Sequence, residues 1–358
     1  MRALNSHPTG QRDEGAVIVW VAVMLVTLFG VGALVIDIAR LYVERRELQN
    51  GADAAALAVA QDCALGDCGT EGATAKNYAD LNANDGVSAI ESGTPCGNGP
   101  GLSACTDGAP AGADGATGWV RVRTSTLTGD GDDQVSFLLA PIISALTGKK
   151  VRAGATAAWG PLQTATTLPF TFSECEFNNL PADDDGIPIG TTYVYSKAGG
   201  QNADPLPGCE SRAPSGGTVE GGFGWLTTSG GQCSVELDVG DTITGPSDPG
   251  NDNLLKKAPC SESLVQDKEV LLPLFSAVDG TGGNATYTII GFVGFVVTGY
   301  ALSGSTWPSG FSCPQVPGGT GGTGNLRCFR GYFTQHYDSQ GDFGDSIDFG
   351  ARVIKMVE

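Results

Sequence analysis

The stretch that most constrains this chain runs from Gly15 to about Gln61. Its first half, Gly15 to Ile36, carries no charge and is almost wholly apolar. At about 1.5 Å of rise per residue, roughly 20 such residues cross the hydrocarbon core of a bilayer as a helix. The second half is rich in Ala, Leu, Arg and Glu, which are good helix formers, and no Pro interrupts either half. The pattern predicts one long helix, residues 15–36 in a membrane and 37–62 standing out of it. A cleaved signal peptide fits less well. Its apolar region spans about 7–15 residues and ends at small residues. Here the run passes directly into Ile36-Asp37-Ile38-Ala39-Arg40.

Beyond the span, Leu41, Leu48, Ala52, Ala55 and Val59 fall on one helical stripe, with Glu44, Arg45, Glu47 and Asp53 off it. The stripe is narrow and mostly Ala, so a partner surface can approach closely. Gly30, Gly32 and Ala33 place small residues in the outer half of the span, where helix association rests on close packing. These positions, with Leu48, Ala52, Ala55 and Val59, are the candidate interaction residues of the helix. Asp37, at the membrane edge, is expected to be solvated.

The net charge is -19, of which residues 1–62 carry -2 and residues 63–358 carry -17. Such a surface repels nucleic acid and anionic headgroups, so no nucleic-acid partner is expected. All ten cysteines follow the span: Cys63, Cys68, Cys96, Cys105, Cys175, Cys209, Cys233, Cys260, Cys313 and Cys328. No C-x-x-C occurs, which disfavours zinc. An even count on one side of a membrane segment points to disulfides in an oxidising compartment. Pairing is expected for Cys313 with Cys328 and for Cys96 with Cys105, because each pair flanks a Gly/Pro-rich loop. Arginines flank the span on both sides, so the cysteines decide the orientation: residues 1–14 form a cytoplasmic tail and the rest lies outside.

Along the outer part, Cys63 and Cys68 close the long helix. Thr70 to Ala83 reads as a second helix, with Ala73, Asn77 and Leu81 on one line. Residues 85–118 read as a loop. Trp119–Thr126 alternates apolar and polar and predicts a strand. Val135, Leu138, Leu139, Ile142, Ile143 and Leu146 follow helical spacing, with Pro141 as a kink. Lys149–Trp159 is a further strand, which completes a small α/β unit over 63–160. From 161 to 358, short β-branched and aromatic runs alternate with Gly/Pro/Asp turns, the texture of an all-β unit such as a sandwich. Tyr287–Tyr300 is too short and too Gly-rich for a second span and is expected to form buried strands. The fold class is α+β.

The juxtamembrane string Asp37-Ile38-Ala39-Arg40-Leu41-Tyr42, followed by Glu47-Leu48-Gln49-Asn50-Gly51-Ala52-Asp53-Ala54-Ala55-Ala56-Leu57-Ala58, resembles the TadE/TadG-like envelope proteins of Flp (tight-adherence) pili. Gly51 stands where that family usually has Ala. The resemblance fades past Pro161. It implies a bitopic, non-enzymatic assembly or anchoring component whose partners are the membrane and other pilus-assembly proteins. Larger members resemble von Willebrand A domains with a D-x-S-x-S metal site, a string missing here. Pilin-like relatives carry Glu five residues into the apolar run, and Trp20 holds that place, so no prepilin processing is expected.

The remaining motifs carry little. Asp183-Asp184-Asp185-Gly186 fails as a calcium loop because Pro181 and Thr192 would have to be its first and last ligands. Gly319, Gly321 and Gly324 match a dinucleotide fingerprint without its strand and helix, and Gly148-Lys149 lacks the upstream glycine of a P-loop. His7 lies in the tail, and His336 has no nucleophile motif around it. Phe292, Phe295, Tyr300, Phe329 and Phe333 read as core. No catalytic residue, metal, cofactor or small-molecule substrate is expected. The alternative reading is a tethered surface binding module or adhesin, in which the helix is only an anchor.

Overall fold

The computed structural model describes residues 14–138, 140–143, 145–183, 186–196, 211–212, 218–219, 223–228, 233–245, 254–256, 260–279, 285–314, 327–345 and 347–358. The chain divides into two compact units. The first is Met1–Ala55, Gly72–Thr94 and Val122–Ala155; the second is Ala56–Glu71, Pro95–Arg121 and Thr156–Glu358.

Helix α1 (Glu14–Ala64) is continuous over 51 residues, about 75 Å at 1.5 Å per residue. It is long and apolar enough at its N-terminal end to cross a membrane. It ends where Gly66 adopts a left-handed φ of 96° and donates its N–H to the Cys63 carbonyl at 3.0 Å. That closes the last turn in a conformation that favours glycine.

In the first unit, α2 (Glu71–Leu81) takes the place of the helix expected over 70–83, with a different covered side. Ala75 and Ala79 are buried, whereas Leu81 is exposed. Close approach to α1 selects the smallest side of α2 over the most apolar one. A Cβ added at Gly51 would lie 3.2 Å from the Ala79 carbonyl oxygen, so the departure to Gly at this position suits the local spacing. The amphipathic helix expected over 135–146 does not form. Val135–Ser136 instead pairs antiparallel with Gly148–Lys149, and a single turn, α3 (Ala140–Ile143), lies between them. Pro141 is tolerated in a first helical turn but lacks the N–H that a longer helix starting at 135 would need.

The second unit holds a mixed eight-stranded sheet. Its centre is the 18-residue strand Ala285–Leu302, antiparallel to Glu269–Asp279 and to Arg327–Thr334. Phe170–Ser173 runs parallel to Glu269–Asp279. The run read as too short for a span is therefore a central strand. Phe292 and Val293 point to opposite faces and join different core clusters. One face buries Phe295, Tyr300, Phe329 and Phe333, together with Phe177 of α4 (Glu174–Asn178). On the other, Tyr287, Ile289 and Phe292 meet Ala351 and Val353 of a second sheet, in which Ala351–Val357 pairs antiparallel with Arg152–Pro161. At 25 cal/mol per Å², each fully buried Phe contributes about 1.5–3 kcal/mol, which makes these clusters the main stabilising mass of the unit.

Among the described residues, four cysteine pairs staple the second unit: Cys63–Cys68, Cys96–Cys105, Cys233–Cys260 and Cys313–Cys328. Cys175 is disulfide-bonded as well, and Cys209 lies outside the described residues.

Candidate functional site

The site is built on one side of α1 in the first unit. Gly30, Ala33, Asp37, Leu41, Glu44 and Leu48 recur every three or four residues and are buried or half-buried, so Glu44, expected off the stripe, lies on its covered side, while Leu34, Val35, Ile36 and Ile38 between them are exposed. This stripe continues into Ala52 and Ala55, which are fully buried. The covered side thus begins inside the apolar span and runs outward without a break.

Asp37 is its centre, and here the expectation of a solvated carboxylate is overturned: the residue is 3% exposed. Its Oδ1 accepts the Leu138 N–H at 2.8 Å and its Oδ2 accepts the Ala140 N–H at 2.8 Å. Ala140 opens α3, so the carboxylate sits where backbone donors have no intrahelical partners. One turn outward, Arg40 Nη1 donates to the Ser136 carbonyl at 2.9 Å. Two side chains of α1 therefore hold the 135–149 hairpin through backbone groups alone, which fixes its register without asking for particular side chains in the loop.

Further outward the clasp continues. Asn84 N–H donates to Glu47 Oε2 at 3.1 Å, Thr124 Oγ1 donates to the Leu48 carbonyl at 2.9 Å, and Gln49 Nε2 donates to the Gly154 carbonyl at 3.1 Å. Burial raises the Glu44 carboxyl above its ordinary range. A hydrogen bond with Thr126 partly offsets this, and Glu47 and Asp85 add to it. On α2, burial of Asp80 is outweighed by Lys76 and by the Ser88 hydroxyl and amide, which hold its carboxyl below the usual range.

Of the helix positions singled out from the sequence, Ala33, Leu48, Ala52, Ala55 and Val59 are buried within the chain's own fold, whereas a Cβ at Gly30 or Gly32 would meet nothing within 4 Å. The contacts of Asp37, Arg40 and Thr124 were not anticipated. A signal for Asp37 existed: four residues before Leu41, it extends the stripe back into the span.

In the second unit a polar cavity of about 520 Å³ is bordered by Cys63, Gly66, Asn98, Trp159, Asp348 and Arg352. Arg352 Nε donates to Asp348 Oδ2 at 2.6 Å. The other motifs have local roles. The Asp183 carboxylate accepts the Ile187 N–H at 2.9 Å in a turn where Gly186 has a φ of 78°. His336 Nδ1 lies 2.8 Å from Glu269 Oε1. Asp184, Asp185, His7, Gly319, Gly321 and Gly324 lie outside the described residues. Among the described residues, no three His, Cys, Asp or Glu side chains are grouped to hold a metal.

Residues 15–62 match a family model described as putative Flp pilus-assembly TadE/G-like. The matched segment coincides with α1 and contains the stripe from Gly30 to Val59. Neither the curated proteins nor the solved structures contain a match.

Proposed function

Taking the match of residues 15–62 as premise, we propose that the chain is a membrane-anchored, non-enzymatic assembly component of a Flp-type pilus system. In this reading the apolar half of α1 crosses the membrane once with its N-terminus in the cytoplasm, and the chain from residue 37 onward lies outside. The observation that carries the reading is the coincidence of the pilus-assembly match with a helix whose N-terminal apolar side chains are exposed all round except along the covered stripe. Exposed Val, Leu, Ile and Phe side chains on every other side need a lipid or protein surface to cover them. The disulfides of the second unit support an oxidising compartment for it.

The test replaces residues 15–36 by an unrelated apolar helix of equal length, leaving Asp37 and the stripe beyond it intact. The swapped protein is expected to insert and form its disulfides while surface pilus counts collapse at normal protein level. Normal piliation would reduce the span to a tether and move the assignment to the binding-module reading. Orientation is tested separately by alkaline phosphatase fused after Glu358, which is active only outside the cytoplasm.

A further inference from the structure

The hairpin held by Asp37 exposes apolar side chains where a water-facing loop would carry polar ones. Residues 135–147 contain no charge. Leu138 is 62% exposed and Leu146 is 63% exposed. The nearest charges on either side are Asp133 and Lys149, and Asp133 pairs with Lys150 at 3.5 Å, so charge is confined to the hairpin's base.

The direction of the hairpin along α1 follows from its hydrogen bonds. Ser136 is held at the level of Arg40, and Leu138 and Ala140 are held at the level of Asp37. The tip therefore points back along the helix toward its apolar half. Between tip and helix lies a cavity of about 530 Å³, walled by Gly30, Ala33 and Leu34 on one side and Phe137, Ala140 and Leu146 on the other. Gly30 lies seven residues before Asp37, about 10 Å along the axis. The polar groups that reach this cavity are already engaged: Thr27 Oγ1 donates to the Val23 carbonyl at 2.9 Å, and both Asp37 oxygens accept amides. What remains is an apolar surface continuous with that of the span.

We propose that the described part of the hairpin tip, residues 137–138, 140–143 and 145–147, is a second membrane contact: it inserts beside α1 into the leaflet on Asp37's side, with Leu138 and Leu146 among lipid acyl chains and an acyl chain in the cavity. This rests on the membrane-spanning reading of α1. A leaflet's hydrocarbon is about 15 Å deep, so a cavity that extends about 10 Å below Asp37, to Gly30, remains within it. The open space beside Gly30 leaves room for an acyl chain between tip and helix, and Asp37 engages the backbone N–H groups of residues 138 and 140 that would otherwise be costly to bring near hydrocarbon.

The experiment places a fluorescent amino acid singly at Leu138, Leu146, Met24 or Leu81 in the full chain, reconstituted in phosphatidylcholine/phosphatidylglycerol vesicles. Quenching by acyl-brominated lipid is compared with quenching by aqueous acrylamide. Met24, exposed in the span, reports hydrocarbon; Leu81, exposed on α2, reports water. Brominated lipid is expected to quench positions 138 and 146 within about two-fold of Met24 and to leave Leu81 untouched. Acrylamide quenching at 138 and 146 with Met24 still lipid-quenched would overturn the proposal while sparing the span. Protection of both positions from both quenchers would also overturn it, in favour of a protein surface on the tip. Loss of lipid quenching at Met24 would sink the spanning reading and the proposal together.

Discussion

Replacing Asp37 by Ala tests whether one carboxylate fixes the hairpin. The substitution removes two hydrogen bonds of 2.8 Å and leaves the Leu138 and Ala140 N–H groups without that acceptor. A buried donor left unsatisfied costs about 1–3 kcal/mol, so two give about 2–6 kcal/mol. The hairpin can shift once the carboxylate is gone and carry these amides to other acceptors, which places the loss in the lower half, about 2–3 kcal/mol. At 1.4 kcal/mol per factor of ten, the amides of residues 138 and 140 should exchange about 30–150 times faster. The assay is amide hydrogen exchange of the full chain in nanodiscs, with Ala75 and Ala79 of α2 as internal references. Asp37→Asn keeps one acceptor oxygen and should fall between wild type and Ala. Unchanged exchange at 138 and 140 in the Ala variant would refute the assignment of Asp37 as the hairpin's anchor, and a uniform rise that includes α2 would show that the residue supports the whole unit instead.

Gly51→Ala gains helix propensity of about 1 kcal/mol, but its Cβ would meet backbone of α2 at 3.2 Å; overpacking costs typically 1–3 kcal/mol, so a net loss of about 1 kcal/mol is expected in thermal unfolding, and a much larger one for Gly51→Leu. Removing the Cys313–Cys328 bridge, which closes a separation of 15 residues, should cost about 3 kcal/mol in the loop-entropy account, read as a shift in denaturant midpoint that reductant abolishes. Glu176 is 7% exposed and burial pushes its carboxyl up to about 7, from an ordinary value of 4.5. Its folded pKa is raised, so stability is greatest below the unfolded value, falls between about pH 4.5 and 7, and is level above, a loss of about 3 kcal/mol in all. Glu176→Gln should therefore stabilise the protein at pH 8 and leave it unchanged at pH 4; an equal effect at both pH values would refute the burial argument.

The readable parts of the fold were those where one residue type does one job. An uncharged run without Pro leaves the N-terminal half of α1 no stable form but an apolar helix, and Tyr287–Tyr300 was too short to be anything but buried strand. The unreadable parts share a cause. Residues 135–146 have perfect helical spacing, yet Pro141 and the pull of Asp37 on two loop amides make them a hairpin with an exposed apolar tip. Spacing reports which residues can share a side, not whether that side faces protein. In α2 the same limit appears in reverse. The apolar Leu81 marked one side, but contact with a glycine-bearing helix buried the alanines of another. Asp37 was misread because a charge at a membrane edge is normally solvated, and only the return of a distant segment, about a hundred positions later, makes it buried.

The same physics accounts for why the resemblance is sharp over residues 15–62 and faint beyond. Along α1 the covered stripe carries a buried Ala at 33, an acceptor at 37, a buried Leu at 48 and buried Ala at 52 and 55. Few sequences meet all of these at once. The strands of the second unit require only that alternate residues be apolar and fit a cluster in which Phe, Tyr, Leu, Val and Ile exchange at modest cost. Their stability comes from summed burial and from disulfides, both of which tolerate drift in the residues between. A helix that merely tethered this unit would need hydrophobicity alone and would carry no such pattern in and just beyond the span. The buried positions 33 and 37, set among exposed neighbours, are therefore the strongest argument in this chain that the span is part of a working structure rather than an anchor appended to one.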